Sequence, residues 1–232
     1  IGCNKVSAGC VNCYAETMAK RLKAMGTRGY ENGFEFTIIP ERLEQPLVIK
    51  KPTKFFVNSM SDLFHEKMPF EFLDMIFDTI RETPWHTYQI LTKREKIMAK
   101  YFENKVLPEN VWLGVTIENK TTKNRIDYLR NINATIRFIS IEPLLEDVGA
   151  LNLDNMHWII VGGESGIKAR PMQSNWVLNI KEQCEKQNVA FFFKQWGTWG
   201  ADGVRRNKKE NGRILNGKIY DEYPELITDY FE

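Results

Sequence analysis

Histidine is scarce in this sequence, three in 232 residues, and each stands alone in the chain. No metalloprotease helix motif and no nucleophile elbow is present. Cysteine is scarce too: there are four. That excludes a disulfide framework, which needs a short secreted chain with many paired cysteines. No apolar run approaches a membrane span, and the longest are strand-sized. No secretory signal is visible. The chain opens on Ile1 rather than Met, so residues upstream are expected to be missing. Neither sign of charge dominates. A net charge of +2 neither demands nor excludes a nucleic acid partner. There is no internal repeat and no low-complexity segment. These absences leave a chain suited to one domain of moderate size, with no membrane association. Its cysteines read as cytoplasmic metal binding.

What is present is concentrated. Cys3, Cys10 and Cys13 fall within eleven residues, and Cys184 lies far downstream in a helical pattern, where it reads as a small buried hydrophobe. A structural zinc site wants four protein ligands, and most iron–sulfur clusters use four thiolates. Three thiolates in one loop point to a cluster or metal with one position open to a substrate or cofactor. His65, three residues past Asp62, either completes a zinc set with the triad or sits in a loop. His86 and His157 precede strands and read as surface or supporting residues.

Behind the cysteines, apolar β-rich runs alternate with helical patterns. Tyr14, Met18, Leu22 and Met25 recur at helical spacing, and a Gly/Asn-containing stretch over 26–33 ends that helix. Strands are expected at 54–57, 88–91, 111–115, 136–139, 157–161 and 190–193. Helices are expected at 70–81, 95–102, 123–130 and 176–187, with 143–155 irregular. Continuous apolar strands suit a parallel sheet covered on both faces. The alternation implies an α/β fold, either a barrel or an open sheet. It spans 1–199, with a basic loop and β-hairpin appendage over 200–232. Asn216-Gly217 between apolar residues is the hairpin signal.

Polar residues gather just after each expected strand: Asn58, Ser59, Ser61 and Asp62; Thr92, Lys93 and Arg94; Thr116, Glu118 and Asn119; Ser140 and Glu142; Gly162, Gly163, Glu164 and Ser165; Lys194 and Gln195. One polar strand end is an ordinary loop or helix cap. Six in succession read as the lining of one site at the carboxyl rim, with Glu118, Glu142 and Lys194 as its catalytic candidates. Gly162 and Gly163 would let backbone approach a ligand and offer amides to an anion. Glu164 would pair with an ammonium or a ribose hydroxyl. The bland alternative is a tight turn capped by Ser165. No dinucleotide fingerprint is formed, because the third glycine is missing. Trp196 and Trp199 read as core or hairpin packing rather than a stacking platform. Arg205, Arg206, Lys208 and Lys209 read as a solvated loop or a phosphate contact.

These motifs resemble a known family. The segments are Cys3 to Glu16, Asn58-Ser59-Met60-Ser61-Asp62-Leu63-Phe64, Leu91-Thr92-Lys93-Arg94, Ser140-Ile141-Glu142-Pro143-Leu144-Leu145, Gly162-Gly163-Glu164-Ser165-Gly166 and Phe193-Lys194-Gln195-Trp196-Gly197. Together they resemble the phage-associated three-cysteine-motif proteins, which look like a divergent branch of the radical S-adenosylmethionine (SAM) enzymes. The likeness spans nearly the whole chain. It implies a partial (β/α) barrel of about six to seven parallel strands, with a [4Fe–4S] cluster on Cys3, Cys10 and Cys13 and SAM on the open iron. Cleavage of the sulfonium would give a 5′-deoxyadenosyl radical that abstracts hydrogen from a substrate. By position, Ser59, Ser61 and Asp62 would face the SAM amino group and Lys93 its carboxylate. Glu118 or Glu142 would meet the ribose or the substrate, and Tyr14 would pack beside the adenine. An electron donor such as a flavodoxin or ferredoxin is implied. Similarity of the Asp62 and Lys93 segments to the DNA-repair lyase branch favours a nucleic acid or nucleotide substrate. Two features depart from the common pattern: the first cysteine gap is six residues rather than three, and Asn12 stands where an aromatic is usual. Two rival readings stay open. One is a zinc-stabilised non-catalytic binding module. The other is a (β/α) acid/base enzyme using Glu118, Glu142 and Glu164.

Overall fold

The structure is a computed structural model and describes residues 1–225. Positions 226–232 of the expected C-terminal appendage lie outside the described residues. The fold is α/β. Six strands follow one another in sheet order β1-β2-β3-β4-β5-β6, the sequential order that repeated β-to-helix units produce. No helix among the described residues is long and apolar enough to cross a membrane. The chain divides into two compact units, Ile1–Thr116 with Arg125–Thr135, and Ile117–Asn124 with Ile136–Glu232.

The first unit contains α1 (Tyr14–Ala24), α2 (Gln45–Val48), β1 (Lys54–Val57), α3 (Phe70–Arg81), β2 (Thr87–Thr92), α4 (Glu95–Phe102), β3 (Val111–Thr116) and α5 (Arg125–Arg130). Its strands pair in parallel, Lys54 with Thr87 through Val57 with Ile90, and Tyr88 with Val111 through Thr92 with Val115. Every residue of β3 is buried, as its unbroken apolar run anticipates. Pro69 caps α3, and its carbonyl accepts from the Phe72 and Leu73 amides, both at 3.1 Å. Glu71 in the first turn and Arg81 in the last complement the helix dipole. The helix buries Leu73, Phe77 and Ile80, spaced four and three residues apart, which is one helical face. Phe77 packs on Tyr101 and Phe102 with ring centroids at 5.4 and 5.2 Å. The buried Tyr101 hydroxyl is satisfied by Asp74 Oδ1 at 2.7 Å.

The second unit contains β4 (Ile136–Ile141), β5 (Trp158–Gly162), α6 (Ser174–Lys186), β6 (Ala190–Gln195) and α7 (Lys208–Asn211). These strands are parallel too, Phe138 beside Trp158 and Trp158 beside Ala190. Val177, Ile180 and Cys184 form the buried stripe of α6. Burial pushes the Cys184 thiol up to about 12, so it is the buried hydrophobe the pattern implied. Trp196 is buried with its indole N–H on the Ile214 carbonyl at 2.8 Å. Trp199 donates to the Ala169 carbonyl at 2.6 Å. Both are packing residues.

Four local expectations are corrected. The helix after Cys13 is present, but the stripe that revealed it faces outward. Tyr14, Met18 and Met25 are 61 %, 41 % and 76 % exposed, and the buried face is Ala15 and Ala19. Small residues, not large ones, let this helix pack closely. For His86 the surface alternative falls and the supporting one stands: it is 1 % exposed. Its ring accepts the Thr53 amide at Nδ1 and meets the Pro46 carbonyl at Nε2, both at 3.1 Å. The helix expected from 123 starts at Arg125, because Asn119 and Thr122 cap a 3-10 turn over Lys120–Thr122. The expected hairpin is reduced to one antiparallel bridge between Leu215 and Lys218. Asn216 and Gly217 both take positive φ, 48° and 77°, as a type I′ turn requires.

Phe77→Ala removes the ring around which the aromatic cluster packs. It should destabilise the protein by about 3–5 kcal/mol, read as a lowered urea midpoint at unchanged denaturant slope.

Candidate functional site

Within the first unit, the sequence pins the cysteine segment to the carboxyl end of β1. Gly2 forms a parallel bridge with Ser61, and its amide donates to the Met60 carbonyl at 3.2 Å. Gly2 has φ +80°, and a Cβ there would lie 2.1 Å from the Glu35 carbonyl oxygen. Only glycine fits between these two segments. The Cys3 amide then donates to the Phe34 carbonyl at 3.2 Å. A 3-10 turn over Ala8–Cys10 follows, with Ser7 Oγ 3.8 Å from Cys10 Sγ. Cys13 is the N-cap of α1, immediately before Tyr14. All three thiols are free and partly exposed. Among the described residues, no group of three or more His, Cys, Asp or Glu side chains is gathered so as to hold a metal ion.

Asp62 is the centre of this end of the unit. Its Oδ1 accepts from the Thr92 hydroxyl at 2.7 Å and the Phe64 amide at 3.0 Å. Its Oδ2 accepts from the Lys93 amide at 3.0 Å and Arg94 at 3.2 Å. The carboxylate that was expected to face a ligand amino group is therefore engaged inward, joining the ends of β1 and β2. Ser59, Ser61 and Lys93 differ. Ser59 is exposed, Ser61 and Lys93 are half-buried, and their side-chain polar atoms have no partner among the described residues. The Tyr14 hydroxyl donates to the Ser59 carbonyl at 2.5 Å, which brings the start of α1 to the same strand end.

Two residues here carry more than the sequence reading gives them: Arg94 is read there only as part of the rim lining, and Glu66 is not singled out. Arg94 is buried and donates to Cys3 Sγ, Asn4 O, Asp62 Oδ2 and Glu66 Oε2 at 3.2, 3.2, 3.2 and 2.9 Å. Burial opposes its charge, but Asp62, then Cys3 and Glu66, hold its pKa above the ordinary guanidinium value. Glu66 also accepts from the Asn4 amide group at 2.6 Å. Its pKa falls to about 2: burial works against the charge, and its own backbone amide, Asn4 and Arg94 outweigh it. Burial raises the Cys3 thiol, with Arg94 opposing the rise. The signal for Arg94 was its place at the end of a strand, obscured because a neighbouring lysine had the more familiar role.

His65 is fully buried and stacks on Phe36 with centroids 4.3 Å apart. Its Nδ1 accepts the Lys67 amide at 3.1 Å, so Nε2 carries the proton in the neutral ring. That nitrogen has no hydrogen-bond partner among the described residues, and Glu66 Oε1 lies 3.5 Å away. Burial, then Arg94, lowers its pKa.

The second unit collects a separate set. Glu142 follows β4, with Lys194 Nζ 2.8 Å from its Oε2 and Gln195 Nε2 3.1 Å from its Oε1. A Cβ on Gly162 would come 3.0 Å from Glu142 Oε1, so the glycine makes room for this carboxylate. Gly163 is fixed for another reason: a Cβ there would lie 1.9 Å from the Trp196 carbonyl oxygen. Its amide donates to the Gln195 carbonyl at 2.9 Å, so that amide meets backbone and not an anion. Glu164 is buried and accepts from the Arg170 amide at 2.8 Å and from its guanidinium at 2.9 and 2.5 Å. The expected ligand carboxylate closes its own loop. Glu118 is fully buried, and its carbonyl accepts from Leu145 at 3.0 Å. In the basic tail, Arg206 forms a two-point pair with Asp202 at 2.9 and 2.7 Å, and Arg205 donates to the Ile167 carbonyl.

The fold and these strand-end clusters define a parallel α/β protein with a three-thiol segment at the end of β1. The chain belongs to the family described as Protein of unknown function (DUF5131), whose model matches residues 1–224. No curated protein and no solved structure matches it.

The Glu66 shift fixes a pH dependence. A carboxylate held at about 2 when folded and near 4.5 otherwise contributes fully above 4.5 and loses that contribution as pH falls towards 2. His65 acts in the same direction, since below 6.5 the unfolded chain takes up a proton that the buried ring resists. The urea midpoint should therefore fall on acidification from pH 6.5 to 3, and Glu66→Gln should flatten the part below 4.5.

Proposed function

We propose that this protein is an iron–sulfur enzyme of the radical SAM type, with Cys3, Cys10 and Cys13 holding a [4Fe–4S] cluster. The observation that carries the reading is the anchoring of Cys3. Gly2 registers it beside Ser61 at the end of β1, and Arg94 joins its sulfur to Asp62. The donor set fits such a cluster: three free, partly exposed thiols on one short segment leave one iron without a protein ligand. When bound, the cluster and SAM together supply one-electron cleavage of the sulfonium and hydrogen abstraction from the substrate.

The chain's own part is placement. Lys93, whose ammonium has no partner among the described residues, suits the SAM carboxylate, and the hydroxyls of Ser59 and Ser61 suit its amino group. Asp62 keeps these groups in register from behind, because its carboxylate binds the Lys93 amide. In the second unit, the Glu142–Lys194 ion pair has an exposed lysine, and such pairs are weak enough to open to a ligand. The substrate favoured is a nucleic acid or nucleotide, the reductant a flavodoxin or ferredoxin, and the setting phage-associated and cytoplasmic. This rests on the sequence resemblance alone.

Anaerobic reconstitution should give a brown protein with a full cluster complement and a paramagnetic reduced state. With SAM and reductant it should release 5′-deoxyadenosine. Cys10→Ser should abolish iron binding and leave the far-ultraviolet circular dichroism intact. Stoichiometric zinc in place of iron, with unfolding of Cys10→Ser, would instead identify the zinc-stabilised module.

A further inference from the structure

Among the described residues, Cys3 alone of the three thiols is gripped by a buried charge. The contact at Cys10 Sγ is a serine hydroxyl at 3.8 Å. Cys3 Sγ receives an N–H from Arg94 at 3.2 Å, and the same guanidinium donates to the carbonyl of Asn4, the next residue, at 3.2 Å. One planar group thus fixes both the sulfur and the backbone just beyond it. The guanidinium is itself immobilised. Asp62 and Glu66 hold it from the protein side, its own amide donates to Thr92 Oγ1 at 2.9 Å, and its side chain is 5 % exposed.

A structural ion pair would need only Asp62 and Glu66. The additional reach to Cys3 and Asn4 uses the fork of donors that arginine has and lysine lacks. We propose that Arg94 is a positioning residue for the cysteine triad, orienting Cys3 as its anchoring ligand and hydrogen-bonding its sulfur when the cluster is bound. This rests on the iron–sulfur reading above. Hydrogen bonds to cluster sulfurs stabilise the more negative, reduced form and raise its potential. Arg94 would therefore set how readily the cluster accepts an electron, as well as how firmly it is held.

The test compares wild-type protein with Arg94→Gln and Arg94→Lys, reconstituted side by side without oxygen. The readouts are iron and sulfide content and the midpoint potential from a redox titration followed by electron paramagnetic resonance. Arg94→Gln should lose about 10- to 100-fold in cluster affinity, the range seen when an outer-sphere partner is removed. The cluster that remains should shift to a more negative potential. Arg94→Lys keeps the charge against Asp62 and Glu66 and serves as the folded comparison should the glutamine variant fail to fold. It should show a shift of the same sign, because an ammonium cannot serve Cys3, Asn4 and both carboxylates together. Wild-type loading and potential in either folded variant would overturn the assignment of Arg94 alone. Wild-type protein that takes up no cluster would overturn the iron–sulfur reading itself.

Discussion

Asp62 organises the first unit. A carboxylate removed from water is tolerated only where its lone pairs are met and its charge answered. Asp62 takes four donors: the Thr92 hydroxyl, the Phe64 and Lys93 amides, and Arg94. Three of them come from residues 92–94, so the carboxylate of one strand end is the template for the next. The segment after it turns directly into the core, where Leu63 and Phe64 are almost wholly buried. Arg94 owes its orientation to the same group. The order of dependence runs from Asp62 to Arg94 to Cys3, from the packed interior to the exposed sulfur segment.

Glutamates of the second unit divide by burial. Glu164 is deep and bound by Arg170 at three nitrogens. The burial that makes such a pair expensive to form also makes it expensive to separate. Glu142 faces an exposed lysine, and Gly162 leaves the space it occupies. Two carboxylates that look alike in sequence therefore have opposite characters. One closes a loop, and the other can exchange its partner.

Much of the fold was legible because period and length carry it. Lys54–Val57, Phe70–Arg81 and Glu95–Phe102 are bounded where their apolar patterns begin and end. Strands β2, β3, β4 and β6 extend past their apolar runs into Thr92, Thr116, Ile141 and Gln195, because backbone pairing continues where hydrophobicity stops. The face of α1 was not legible. Periodicity shows that a helix has a stripe, but whether large side chains or Ala15 and Ala19 pack inward depends on how closely the neighbouring backbone approaches. The gathering of Ser61, Asp62 and Lys93 could be read from strand-end position alone, and Cys3 joins them only through the resemblance. Their hydrogen bonding could not. Asp62 turned inward and Lys93 left free is a difference of rotamer and of nearby amides, which no spacing encodes.

Cys184 has a practical consequence. It is wholly enclosed on the inner side of α6 and held protonated at neutral pH, whereas the other three thiols are partly open to solvent. A maleimide or iodoacetamide label will distinguish the two environments. Titre at the amino-terminal segment reports how that segment is occupied, and label appearing on Cys184 reports that α6 has come away from its sheet. The chain thus carries its own integrity gauge, able to tell a variant altered only around its amino-terminal thiols from one that has lost its shape.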